Sequence, residues 1–137
     1  MSRILSRPDR AERGAAAVEF ALVLPLLLLV LFGLIDLGRA LNAQIALTQA
    51  AREGVRLAAL QHPGAADRAR AAAEPLSGVT VSVTACPANP GPTDDAVVLA
   101  NQNFTFATPI GSIADMFGGG IGSSVQLTGR GVMRCLG

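Results

Sequence analysis

Few residues in this 137-residue chain have the types and spacing that chemistry requires. Asp94-Asp95 could act as a carboxylate pair or supply calcium ligands, but two adjacent acids in a Pro/Gly loop read as a solvated turn. His62 is the only histidine, set in a helix-ending His-Pro-Gly, and the two cysteines lie far apart, so no metal-ligand spacing is present. The glycine-rich run 117–124 resembles a phosphate cradle superficially, yet it lacks the lysine and the strand-to-helix setting. No nucleophile with a base and no acid/base pair is evident, so catalytic residues, metal and cofactor are all expected to be none. What remains is Glu19, a carboxylate inside an otherwise uncharged apolar run from Ala15 to Ile35.

A carboxylate in hydrocarbon costs at least about 2–3 kcal/mol on insertion scales, so its position has to be explained. Two readings stand. In one, Glu19 lies a turn inside the bilayer, snorkels to the surface or favours the positive end of the helix dipole. In the other, the chain is cut after Gly14, and Ala15 then carries an α-amine that is normally protonated near neutral pH. Glu19 of one copy could pair with that amine on a neighbouring helix, satisfying both charges in lipid and fixing the stagger between subunits.

The element that positions Glu19 is the apolar run itself. At the helical rise, Ala15 to Ile35 reaches about 30 Å, the thickness of a bilayer core. Half the residues are hydrophobic and the mean hydropathy is +0.45, as expected of a small protein with one span. Arg3, Arg7, Arg10 and Arg13 outweigh Asp9 and Glu12 ahead of the span, so the positive-inside rule keeps this end cytoplasmic and exports the remainder. The run exceeds a secretory h-region and no small-x-small site follows it, which favours retention over signal cleavage. In the exported compartment Cys86 and Cys135 either oxidise to a disulfide or stay as two buried thiols. A formal net charge of +1 provides no basic field, so nucleic acid is not an expected partner.

Past the span the helical pattern continues to about Gln61, with Leu37, Leu41, Ile45, Thr48, Ala51, Val55 and Ala59 on one side and Arg39, Asn42, Gln49, Glu53 and Arg56 on much of the other. That apolar side is the one expected to be covered by the rest of the domain. Pro25 predicts a kink within the span. Residues Ala65 to Leu76 read as a short helix, Val79 to Thr84 as an alternating strand, and Ala96 to Ala107 as a second strand with Phe104 and Phe106 on one face. Residues Pro109 to Gly122 read as irregular, or briefly helical around Ile113 to Phe117. A last strand from Val125 puts Val125, Leu127, Met133 and Cys135 on one side. The expected fold is α+β: a long N-terminal helix, membrane-spanning in its first half and amphipathic in its second, with a three-stranded antiparallel sheet on the exported half.

The segment Arg13-Gly14-Ala15-Ala16-Ala17-Val18-Glu19-Phe20-Ala21-Leu22-Val23-Leu24-Pro25, with the later Ala50-Ala51-Arg52-Glu53-Gly54-Val55-Arg56, is similar to the TadE-like pseudopilins of the tight-adherence (Flp) pilus, a type IV pilin-like family. The resemblance covers Arg13 to Ala59 and is thin beyond, apart from the two cysteines and a closing Met133-Arg134-Cys135. It implies cleavage between Gly14 and Ala15 by an aspartic prepilin peptidase of the inner membrane. It also implies an assembly role for Glu19, fifth after the cut, and for Phe20, in a place often held by Tyr. Implied partners are the peptidase, other pilin and pseudopilin subunits, assembly platform proteins and the lipid bilayer. Because about a hundred residues follow the span, the chain looks like a minor pseudopilin and not a major pilin.

The expected organisation is therefore a cytoplasmic leader over 1–14, a transmembrane helix over 15–36, and an extracytoplasmic domain over 37–137 that includes the helix extension 37–61. The expected function is a non-enzymatic subunit assisting pilus assembly and adhesion, held in the cell membrane and able to enter a pilus. The competing expectation is an uncleaved, single-pass binding or sensor protein.

Overall fold

The computed structural model describes residues 10–109, 112, 115, 116, 118 and 124–135, with side chains from Gly14 onward. The irregular segment expected over Pro109 to Gly122, with its brief helix, falls largely outside the described residues, as do the first nine residues of the leader.

Helix α1 runs from Arg10 to Ala59, 50 residues or about 75 Å at the helical rise. It begins ahead of Ala15, where the sequence predicts a start: Arg10 to Arg13 are adequate helix formers, and one glycine at position 14 costs only about 1 kcal/mol. The helix continues through Pro25 without a break. It ends in a Schellman arrangement, with the Gln61 N–H donating to the Ala58 carbonyl (3.1 Å) and the His62 N–H to the Leu57 carbonyl (3.0 Å). Gln61 takes the left-handed position at φ 54° that glycine usually fills. Helix α2, Ala65–Ala72, follows; it stops short of the expected Leu76 because Pro75 forces the chain out of the helix.

Strands β1 (Thr80–Thr84), β2 (Asp95–Thr105) and β3 (Ser124–Arg134) form an antiparallel sheet in the order β1-β2-β3. Alternation sets its two faces. Ala96, Val98, Ala100 and Phe104 of β2 are buried on the side toward α1, and the register places Val83 and Gly131 beside Val98, and Val81 and Gly129 beside Ala100. Leu127 on the same side of β3 packs against the core, whereas Val125 and Met133 lie toward its ends and stay partly exposed. Phe104 and Phe106 meet edge to face, with ring centroids 5.7 Å apart.

The helix buries a different face from the one its large apolar residues suggest. Of the expected face, Ala51, Val55 and Ala59 are buried, together with Asp36, Ala43, Leu47, Ala50 and Ala58, while Leu37, Leu41 and Ile45 nearer the apolar run remain 56%, 56% and 58% exposed. The reason is distance. A Cβ on Gly129 would lie 2.3 Å from the Leu47 carbonyl carbon and oxygen, and one on Gly131 would lie 2.5 Å from the Ala51 oxygen. Strand and helix backbones touch here, so only small side chains fit between them, and the bulky ones turn outward. Gly54 of α1 serves the same purpose where the helix meets α2: its missing Cβ leaves room for the Ala69 methyl group. The core is accordingly small-residue and rich in alanine.

Candidate functional site

Sheet and α2 both pack on the second half of α1, and none of residues 14–35 is buried. This first half is long and apolar enough to cross a membrane. Gly14, Ala15, Glu19 and Phe20 all lie on it, exposed, within about two turns of one helix. Glu19 sits one turn beyond Ala15, about 6 Å along the axis, and has no ion pair among the described residues. The geometry thus presents Glu19 and the Gly14-Ala15 bond outward, available to other molecules and not to the chain's own domain.

The outward apolar side chains continue past the bare half of α1. Val30, Leu34, Leu37, Leu41 and Ile45 recur at three- or four-residue intervals and fall along one stripe of α1, and each is at least 46% exposed. The sheet covers a different side of the helix. The result is a ridge that begins in the bare half and runs alongside the domain without being covered by it.

Between the two halves stands Asp36, which the sequence reading did not single out. Its side chain is buried and accepts four hydrogen bonds: from the Ala107 N–H (3.1 Å), the Thr108 N–H (3.2 Å), the Thr108 hydroxyl, and Arg39 Nη1 (3.1 Å). The Arg39 guanidinium in turn lies 5.2 Å from the Phe104 ring centroid, a cation–π distance. Asp36 is the first member of the sheet-facing stripe, in line with Ala43 and Leu47, and its carboxylate ties the end of β2 to the helix where the apolar run stops. The available signal was an acid closing an apolar run, with an arginine three residues on.

Cys86 and Cys135 are joined, with their Cα atoms 5.8 Å apart, linking the segment after β1 to the end of β3. His62 lies in the turn after α1, its Nδ1 2.6 Å from the Pro63 carbonyl. The Asp94 carboxylate accepts the Gly91 N–H at 2.7 Å within the turn, and Asp95 pairs with Arg134 at 3.0 Å across β2 and β3, so the two acids serve separate structural contacts. Among the described residues no three His, Cys, Asp or Glu side chains gather in a way that could hold a metal ion.

Residues 14–56 match the model of the TadE family, described as TadE-like protein, a family associated with the tight-adherence (Flp) pilus. The matched segment begins at Gly14, takes in the bare half of α1, Asp36 and the whole ridge from Val30 to Ile45, and leaves α2 and the sheet outside it. No curated protein and no solved structure matches the chain.

Proposed function

We propose that this chain, whose TadE-like segment occupies most of its long helix, is a minor pilin-like subunit of a tight-adherence pilus or secretion system. In this reading it is inserted once in the cell membrane with its N-terminus cytoplasmic, and cut between Gly14 and Ala15 by a prepilin peptidase. It then assists pilus assembly and adhesion. The observation that carries the reading is the bare, apolar first half of α1, which holds Gly14 and Glu19 at a helical spacing and continues as an uncovered ridge beside the domain.

The chemistry follows from the cut. Hydrolysis of the Gly14–Ala15 bond leaves a cationic α-amine at the start of a membrane helix. Glu19 on an adjacent helix neutralises it, and in hydrocarbon two opposite charges with no other partner are strongly driven together. Because the two groups of one chain differ in axial height, pairing between chains imposes an offset. The ridge supplies the apolar surface along which neighbouring helices pack, while the sheet, on another side of α1, stays clear of that contact.

The test is the mass of the mature protein from membranes of cells expressing an active prepilin peptidase. Loss of the first fourteen residues is the expected result, with Gly14→Trp blocking it because the peptidase needs close access to the backbone. A full-length chain alongside a processed control substrate would overturn the proposal in favour of an uncleaved membrane-anchored binding protein.

A further inference from the structure

A polar recess of about 270 Å³ opens between the membrane-proximal turns of the domain half of α1 and the far end of β2. Arg39 and Asn42 line it from the helix, Gln102, Asn103 and Thr105 from the strand, and Ser77 from the connection between α2 and β1. Its height is set by the helix: Arg39 lies about 6 Å and Asn42 about 10 Å past Ile35. If Ala15 to Ile35 fills the hydrocarbon core, these residues stand at the depth of lipid headgroups.

Two of the lining groups have unused capacity of opposite kinds. Arg39 gives Nη1 to Asp36 and rests against Phe104, which fixes the guanidinium plane while its side chain stays 49% exposed. A guanidinium has five N–H donors, and its planar fork matches phosphate oxygens. Gln102 lies on the helix-facing side of β2, in step with Ala100 and Phe104. Its Nε2 donates to the Ser77 carbonyl at 2.9 Å, which identifies the other amide atom as the oxygen. Its Oε1 is then buried with no hydrogen-bond partner, the one such side-chain atom among the described residues. A buried acceptor without a donor is a standing cost that an incoming donor relieves.

We infer that this recess binds a phospholipid headgroup whose phosphate carries a hydrogen-bond-donating amine or hydroxyl. The phosphate engages Arg39, and the amine or hydroxyl engages Gln102 Oε1 after a small turn of the amide toward the recess. Ethanolamine and glycerol headgroups have both features; choline has the phosphate but no N–H or O–H. The inference rests on the membrane-spanning reading of α1.

The full chain, reconstituted in nanodiscs of equal phosphatidylethanolamine and phosphatidylcholine, is released into native mass spectrometry and its retained lipids are counted. Retention of ethanolamine lipid over choline lipid by about threefold or more is expected; equal retention overturns the inference. Gln102→Leu should abolish the preference, and Arg39→Gln should reduce retention of both lipids; a preference that survives Gln102→Leu also overturns it. Soluble glycerophosphoethanolamine should not displace the lipid; displacement at low concentration would assign the recess to a free phosphate compound and overturn the lipid assignment. An alkaline wash of native membranes separates the two levels. A chain that washes off overturns the spanning reading together with this inference, whereas a retained chain without lipid preference overturns the inference alone.

Discussion

Gly129 crosses Leu47 with no room for a side chain: a Cβ there would sit 2.3 Å from the Leu47 carbonyl carbon and oxygen. Gly131 repeats the relationship one pleat further on, against Ala51. The obstacle in both cases is helix backbone, which cannot rotate aside as a side chain can.

Gly129→Ala should therefore destabilise the domain by about 3 kcal/mol, at the upper end of the overpacking range. Gly131→Ala should behave similarly. Gly38, where an added methyl group would meet nothing within 4 Å, is the control; its replacement by Ala should be neutral or stabilise the helix by up to about 1 kcal/mol. Denaturant unfolding of the chain in micelles distinguishes the two outcomes.

Asp36→Ala removes the acceptor for two amides, a hydroxyl and a guanidinium at once. Amide hydrogen exchange at Ala107 and Thr108 should accelerate by about tenfold or more, with little change at Val98 or Ala100 in the middle of β2. Asp36→Asn keeps one acceptor oxygen and should give an intermediate result. Uniform protection across all four amides would show that the carboxylate does not hold the end of β2.

Reduction of the Cys86–Cys135 bond opens a loop with a sequence separation of 49. In the chain-entropy model its loss costs about 4 kcal/mol. The paired Cys86→Ser, Cys135→Ser variant should unfold at correspondingly lower denaturant, and added reductant should shift the wild-type chain and leave the variant unchanged.

Leu41→Gln and Ile45→Gln alter the exposed ridge without touching the sheet-facing stripe. Domain stability should change by no more than about 0.5 kcal/mol, while cross-linking between chains in membranes, or incorporation into a pilus, should fall sharply. Ala50→Leu, on the buried stripe, should do the reverse and unfold the domain before it affects association.

The long helix, the three strands and their antiparallel pairing could be read from periodicity, because alternation and helical spacing survive in the residue types. Ala51, Val55 and Ala59 fall on the side expected to be covered and are buried, but which side of the turns from Leu37 to Ile45 meets the sheet could not be read. A helical wheel weights leucine and isoleucine, so Leu37, Leu41 and Ile45 define its apolar face, yet here the closest packing requires alanine and glycine. Gly129 and Gly131 have no side chain to enter an alternation pattern, yet they are the strand's contact surface on the helix. Asp36 was hidden for a related reason: its partners, Ala107 and Thr108, are backbone groups some seventy residues away, and backbone groups leave no mark in the residue types. Glu19 and the two cysteines stand out in the sequence because charge and sulfur contrast with an apolar, alanine-rich background.

Because α1 is one helix from Arg10 to Ala59, its two halves share a single phase. Adding one residue after Ile35 would leave the domain's own packing intact but turn it by about 100° and lift it about 1.5 Å relative to the bare apolar half. The bare apolar half and the folded half behave like two gears on one shaft. Insertions of one or two residues should misalign the upper and lower portions of the ridge, and an insertion of four, close to a whole turn, should restore them. Association measured across such a series should rise and fall with the helical repeat, while the stability of the domain stays level.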